Sequence, residues 1–222
     1  MCGFAGIFAY SNNAPPVQDA ELLRIRDQML HRGPDGEGLW ISPDKRIGLG
    51  HRRLSIIDLS ENGAQPMASL DGRYQIIFNG EIYNFKELRS ELQAQGFIFR
   101  GHSDTEVLLA LYAQKGEAMC SLLRGMYAFA IWDNITQSLF MARDPFGMKP
   151  LYWHDDGKTI RFASQVKALL AGGGIKTEPE PAGVVGYWIW GSVPEPFTLY
   201  KDLLSLERMR PVKTSCPESL IK

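Results

Sequence analysis

A thiol at the second position, Cys2, is the residue of this sequence best placed to do chemistry by itself. Removal of the initiator methionine is favoured by a small following side chain, and it leaves Cys2 with a free α-amine beside its thiol. Reference pKa values of about 7.7–8.0 for the amine and about 8.5 for the thiol let the amine take the thiol proton near neutral pH. One residue then supplies both nucleophile and base, in place of a Cys/His pair. The plainer reading of the position alone is a small apolar residue in a strand. The other thiols are Cys120, in a helical stretch, and Cys216; three cysteines give no disulfide framework and fit a reducing compartment. The four histidines, His31, His51, His102 and His154, are scattered, and no cysteine pair has metal-ligand spacing, so no metal site is expected. No Walker-type glycine loop is present.

Groups of this kind need a rigid frame. Residues 4–10 read as a short buried strand, ended by the turn cluster Ser11-Asn12-Asn13-Ala14-Pro15-Pro16. Residues 18–30 place Leu22, Leu23, Ile25, Met29 and Leu30 on one helical face. Residues 38–41, 47–57 and 74–78 read as strands, the last ending abruptly at Asn79-Gly80. Asn84 is the expected N-cap of a helix to about residue 95, and Ser103 or Asp104 caps the next, with Val107, Leu108, Leu111 and Tyr112 on its apolar face. Strands at 126–132, 138–142, 151–154 and 160–163 follow, separated by turns such as Asp133-Asn134 and Asp155-Asp156-Gly157. Strands outnumber helices and join by short turns, which predicts antiparallel sheets with helices packed outside, an α+β layered domain. After residue 170 the texture changes to a glycine linker, Gly172-Gly173-Gly174, and scattered prolines.

Composition narrows the classes. A chain of 222 residues suits one domain or one domain with an appendage, and 45% hydrophobic with 22% charged residues suits a soluble globule. A net charge of -1 argues against a general nucleic-acid binder, which needs a basic excess. No apolar run approaches the roughly 18–20 residues of a membrane span. The apolar start lacks a positive lead-in and meets Pro15 and Pro16 early, so it reads as a strand rather than a secretion signal. A cytoplasmic location is expected.

Six runs then occur in order: Met1-Cys2-Gly3-Phe4-Ala5-Gly6-Ile7-Phe8, His31-Arg32-Gly33-Pro34-Asp35-Gly36, Gly50-His51-Arg52-Arg53-Leu54-Ser55-Ile56-Ile57-Asp58, Phe78-Asn79-Gly80-Glu81-Ile82-Tyr83-Asn84, Gly101-His102-Ser103-Asp104-Thr105-Glu106, and Arg143-Asp144-Pro145-Phe146-Gly147-Met148-Lys149-Pro150-Leu151-Tyr152. Each is modest alone; together they are specific. The set resembles the N-terminal glutaminase domain of asparagine synthetases, within the class II glutamine amidotransferases, from residue 1 to about 170.

The resemblance implies an N-terminal-nucleophile hydrolase fold, a four-layer αββα sandwich with antiparallel sheets. It implies Cys2 as nucleophile, with the Asn79 amide and the Gly80 backbone N–H as oxyanion donors. The competing reading of Asn79-Gly80 is an ordinary hairpin turn. It implies Arg53 as the clamp for the substrate carboxylate; Arg52 is adjacent, but alternation along a strand sends the two to opposite faces. Glu81, through its side chain or its carbonyl, and Asp104 match the positions that hold the substrate ammonium. Leu54, Ser55, Ile56 and Ile57 line the same pocket through backbone groups. The segment from Arg32 to Gly36 is either a loop that closes over substrate or a plain connecting turn. Arg143-Asp144 is expected to hold a strand-end turn by an internal ion pair, and the histidines to be structural.

The implied domains are a glutaminase at 1–170 and, at 171–222, a linker with the truncated, poorly ordered start of a synthetase domain. The Ser-Gly-Gly-x-Asp-Ser pyrophosphate loop of that second domain is absent from the sequence. The expected activity is therefore hydrolysis of glutamine to glutamate and ammonia, with no cofactor; ATP and Mg belong to the missing synthetase domain. Glutamine and a separate synthetase chain are the expected partners. The alternatives are the glutaminase of another class II amidotransferase, such as those making glucosamine 6-phosphate or phosphoribosylamine, and a non-catalytic fragment that only binds a partner.

Overall fold

The structure, a computed structural model, describes residues 1–207 and 212–215. Its strands are β1 (Gly3–Ala9), β2 (Gly36–Ile41), β3 (Ile47–Arg53), β4 (Met67–Ala68), β5 (Tyr74–Ile82), β6 (Gly125–Asp133), β7 (Ser138–Arg143), β8 (Tyr152–Asp155), β9 (Thr159–Ala163), β10 (Leu203–Ser205) and β11 (Val212–Ser215). Its helices are α1 (Asp19–Asp27), α2 (Phe85–Ala94), α3 (Asp104–Lys115), α4 (Val166–Ala171) and α5 (Pro181–Trp190), with a 3₁₀ segment at Gly116–Leu122.

Two antiparallel sheets form, ordered β10-β8-β9-β1-β3-β2 and β11-β7-β6-β5-β4. Phe4, Phe8, Ile47 and Leu49 of the first sheet meet Ile77, Ala128, Trp132 and Met141 of the second in a buried layer. Leu22, Ile25 and Met29, with Ala168 and Leu169 of α4, cover the outer face of the first sheet. Leu88 and Leu92 of α2, with Val107, Leu108 and Leu111 of α3, cover the outer face of the second. The result is the αββα sandwich that the resemblance implies. It also explains why β1 is apolar at both alternations: all seven of its residues are buried, because each face has a layer against it.

Several local expectations are corrected. The strand at 74–78 does not stop at Asn79-Gly80; β5 runs on to Ile82, paired with β6 from Tyr74 opposite Asp133 to Ile82 opposite Gly125. The Asn-Gly turn signal yields to that ladder, and Asn79-Gly80 is not a hairpin turn. Conversely, β3 ends at Arg53, leaving residues 54–57 as loop. Asn84 precedes α2 as expected but makes no side-chain cap; it bridges instead to Leu122 O and Arg124 N. Ser103, not Asp104, caps α3 by accepting the Thr105 N–H. Arg143 and Asp144 form no mutual ion pair. Arg143 pairs with Glu195, while the Asp144 carboxylate accepts the N–H groups of Tyr127, Phe146, Met148 and Lys149.

Both sheets draw on residues beyond 170. β10 pairs with β8, and β11 pairs with β7. Ahead of both in the chain, α5 buries little beyond Gly183 and Gly186, and leaves Tyr187, Trp188, Ile189 and Trp190 exposed. The expected poorly ordered tail falls partly on residues 208–211 and 216–222, including Cys216, which lie outside the described residues.

Candidate active site

Cys2 stands just before β1, where pairing of Gly3 with Arg52 brings it beside the end of β3. Its Sγ accepts the Leu54 N–H at 3.3 Å and lies 3.5 Å from Leu54 O. Its carbonyl accepts from Arg32 Nε at 3.0 Å. Asn79, 1% exposed on β5, reaches across from the other sheet. With its amide turned to satisfy both groups, Nδ2 donates to Cys2 O at 3.2 Å and Oδ1 accepts from Arg32 Nη2 at 3.2 Å. Arg32 therefore anchors the Cys2 backbone and the Asn79 amide together. Met1 extends over the same place, its Sδ 3.1 Å from Lys149 Nζ.

The direction of the Gly80 N–H follows from its neighbours. Phe78 N–H donates to Gln65 Oε1 at 2.6 Å and Ile82 N–H donates to Asp104 Oδ2 at 3.1 Å, both on the edge of β5 away from β6. Backbone donors alternate along a strand, so the Gly80 N–H lies on that edge between them. Tyr127, opposite Gly80, has its N–H and carbonyl engaged with Asp144, which agrees. A side chain at position 80 would bring Cβ to 2.3 Å from Met126 O, so the close approach of β6 requires glycine here.

These groups open on one cleft. Cys2, Arg53, Leu54, Ser55, Ile56, Ile57, Asn79, Gly80, Glu81 and Asp104 all line it. Every residue expected from the sequence is thus brought to one place. The two arginines part as alternation requires. Arg53 turns to the cleft side and donates from Nη1 to Ser60 O at 3.0 Å and from Nη2 to Asp58 O. Arg52 turns away to pair with Asp27 and with Glu37, its cross-strand neighbour.

The charges are uneven. Asp104 is 4% exposed, and burial pushes its carboxyl up to about 6 despite N–H donors from Ile82 and the helix start; Glu81 nearby adds to the rise. Burial pushes Arg32 and Lys149 down, and Arg32 adds to the fall at Lys149. His51 Nε2 lies 3.2 Å from Phe78 O, and full burial takes its pKa to about 4, so it is neutral and structural. The segment after Arg32 is tied down at Asp35, whose N–H donates to Arg53 O at 3.0 Å and whose carboxylate accepts the Ser55 N–H at 2.9 Å. Among the described residues, no three His, Cys, Asp or Glu side chains are grouped to hold a metal, and no helix is long and apolar enough to cross a membrane.

Arg32, Lys149 and Gln65 were not singled out as site residues from the sequence. Arg32 and Lys149 sit inside two of the matched runs, the one available signal; Gln65 carries none, because its position depends on a loop that folds back under β5.

Comparison with known proteins agrees with this geometry. A family model described as a glutamine amidotransferase domain matches residues 1–215. The chain is 48% identical, over 93% of its length and 32% of the relative's, to asparagine synthetase [glutamine-hydrolyzing] 1 of Bacillus subtilis (strain 168). It is 39% identical, over 93% of its length and 34% of the relative's, to a putative asparagine synthetase [glutamine-hydrolyzing] of Mycobacterium tuberculosis (strain ATCC 25618 / H37Rv). The chain spans about a third of the length of these relatives. The glutamine phosphoribosylpyrophosphate amidotransferase of B. subtilis, solved with ADP and GMP, superposes at a TM-score of 0.67 with 24% identity, covering 82% of this chain and 46% of that one, which is a likeness of fold. The chain belongs to the glutamine amidotransferase domain family, in the form that its curated relatives carry within glutamine-hydrolysing asparagine synthetases.

Proposed function

We propose that the chain hydrolyses the side-chain amide of glutamine through a thioester on Cys2, as the ammonia-supplying part of asparagine synthesis. The observation that carries the reading is the meeting, in one cleft, of the Cys2 thiol, the Asn79 amide and the Gly80 edge, with Arg53 and Asp104 also lining it. Met1 is removed first. The new α-amine takes the thiol proton, and Sγ attacks the amide carbon. Asn79 Nδ2 and the Gly80 N–H stabilise the oxyanion. Collapse breaks the C–N bond, and the α-ammonium returns its proton to the departing ammonia. Water, deprotonated by the same amine, then attacks the thioester; glutamate leaves and the thiol is restored. No nucleotide enters these steps, so hydrolysis runs without ATP or Mg. Ammonia release from glutamine by the purified chain, measured with and without ATP and Mg, tests the reading; no release under either condition refutes it.

Arg53 holds the substrate carboxylate and Asp104 its ammonium, Glu81 assisting. Arg53→Ala therefore raises KM for glutamine by about tenfold or more, as for loss of one charge-assisted contact. Arg52→Ala leaves KM unchanged and lowers the melting temperature, because its partners Asp27 and Glu37 are structural. Equal KM values in the two variants would reverse the assignment.

Asp104 also fixes a pH dependence. Its carboxyl ionises near pH 6 in the free protein, and only the carboxylate attracts the ammonium. kcat/KM for glutamine should fall as pH drops through about 6, a limb that Asp104→Asn removes at a lower overall rate. The stability sign is the opposite. A folded pKa above the ordinary 3.8 of an aspartate means that stability is gained as pH falls through about 6 and lost as it rises. Asp104→Asn should accordingly melt higher than wild type at pH 7. An unchanged acid limb in the variant would remove Asp104 from ammonium recognition.

The ammonia acceptor is an ATP-activated carboxylate on a synthetase domain, in the same polypeptide or in a separate cytoplasmic chain. The exposed aromatic face of α5 is the surface we assign to packing against it.

A further inference from the structure

Two loops carry the ends of the cleft, and one carboxylate ties them together. Residues 54–57 line the cleft between Arg53 and Asp58, and the Arg53 guanidinium donates back to Asp58 O and Ser60 O, closing the stretch into an arch. The arch has its shape because Asp58 Oδ1 accepts the Ser60 N–H at 2.9 Å and the Ser60 hydroxyl at 2.6 Å, which sets the turn that presents both carbonyls to the guanidinium. The other oxygen, Asp58 Oδ2, accepts the His102 N–H at 3.0 Å. His102 lies two residues before Asp104, on a loop already fixed to its helix: Glu106 accepts the N–H groups of Arg100 and Gly101, each at 2.8 Å. Gln65 makes a second tie beneath, between Phe78 N and Thr105 Oγ1.

We propose that Asp58 is a positioning residue for substrate recognition, holding the Arg53 guanidinium and the Asp104 carboxylate at the separation that an amide with both an α-carboxylate and an α-ammonium requires. The assignment rests on the glutamine reading above. It accounts for a feature that reading leaves unused, a partly exposed carboxylate with donors on both oxygens and no part in the steps at the reacting atoms. The Ser60 hydroxyl and the His102 N–H hold Asp58 down at about 2, so the tie stays ionised across the range in which Asp104 titrates. Selectivity and the acid limb are thereby assigned to different residues.

The test compares wild type, Asp58→Ala and Asp58→Asn on glutamine and on two analogues, one lacking the α-amine and one lacking the α-carboxylate. In Asp58→Ala, KM for glutamine should rise about tenfold while kcat falls by less than about threefold, and the preference for glutamine over either analogue should shrink. Asp58→Asn, which still accepts on one side, should lie between. Amide exchange at His102 should quicken in Asp58→Ala, while the rate of Cys2 alkylation stays near that of wild type. An unmoved KM in Asp58→Ala beside an active wild type overturns this assignment alone. So does a joint fall of kcat and Cys2 alkylation, which would make Asp58 a fold residue. A wild type that hydrolyses no glutamine overturns both the glutamine reading and this one.

Discussion

Cys2→Ala should lower glutamine hydrolysis by about 10³-fold or more, the scale seen when a covalent nucleophile is deleted and only binding and oxyanion donors remain. Alanine is also small enough to permit removal of Met1, so the variant isolates the thiol from the processing step. Glutamine should still bind, because Arg53 and Asp104 do not depend on Sγ. Cys120→Ala supplies the control. Cys120 lies in the 3₁₀ segment at Gly116–Leu122, packs against the core under α3, and has its thiol pushed up to about 11 by burial and Glu117. A thiol so protonated at neutral pH is a poor nucleophile. Its loss should leave kcat unchanged and cost only packing. Hydrolysis that survives in Cys2→Ala and disappears in Cys120→Ala would invert the assignment.

Asn79→Ala should lower kcat by about 10²–10³, the usual cost of losing one oxyanion donor, with little change in KM. The geometry adds a second consequence. Asn79 is also the link between Arg32 and the Cys2 carbonyl, so its removal leaves Arg32 with one fewer acceptor in a buried site. Asn79→Asp is the discriminating partner variant: it keeps an acceptor for Arg32 but removes the donor. If oxyanion donation is what matters, Asp at this position should be as slow as Ala. If anchoring by Arg32 is what matters, Asp should recover most of the rate. Gly80→Ala should fail for a different reason, since its Cβ would sit 2.3 Å from Met126 O and push β5 from β6. Its loss should appear as a lower melting temperature as well as a lower rate.

Much of this was legible in the sequence, and the failures have physical causes. The apolar face at Asp104–Lys115 is a local pattern that survives folding, and that helix appears where it predicts, whereas the strand expected at residues 47–57 forms only as far as Arg53. The parting of Arg52 and Arg53 follows from strand geometry alone, and the structure places them so. Asn79-Gly80 misled because a two-residue turn signal is weaker than pairing along a nine-residue strand, which no local window contains. Arg143-Asp144 misled for a similar reason. Neighbours at a strand end point opposite ways, so each finds partners elsewhere: Glu195 for Arg143, the N–H groups of the following turn for Asp144. β10 and β11 are short and carry no periodic signature; they exist through pairing with β8 and β7. The tie from Asp58 to His102 spans 44 residues, and only the folded chain brings those atoms together.

The central claim is a glutamyl thioester on an N-terminal Cys2. Its most direct test is intact-protein and peptide mass spectrometry of the purified chain, quenched in acid during turnover of glutamine. The account predicts a chain that begins at Cys2, with a glutamyl group on the N-terminal peptide that disappears when glutamine is exhausted and never forms in Cys2→Ala. A chain that keeps Met1 and still hydrolyses glutamine at full rate, or an acyl group found on the Cys120 peptide, would contradict it.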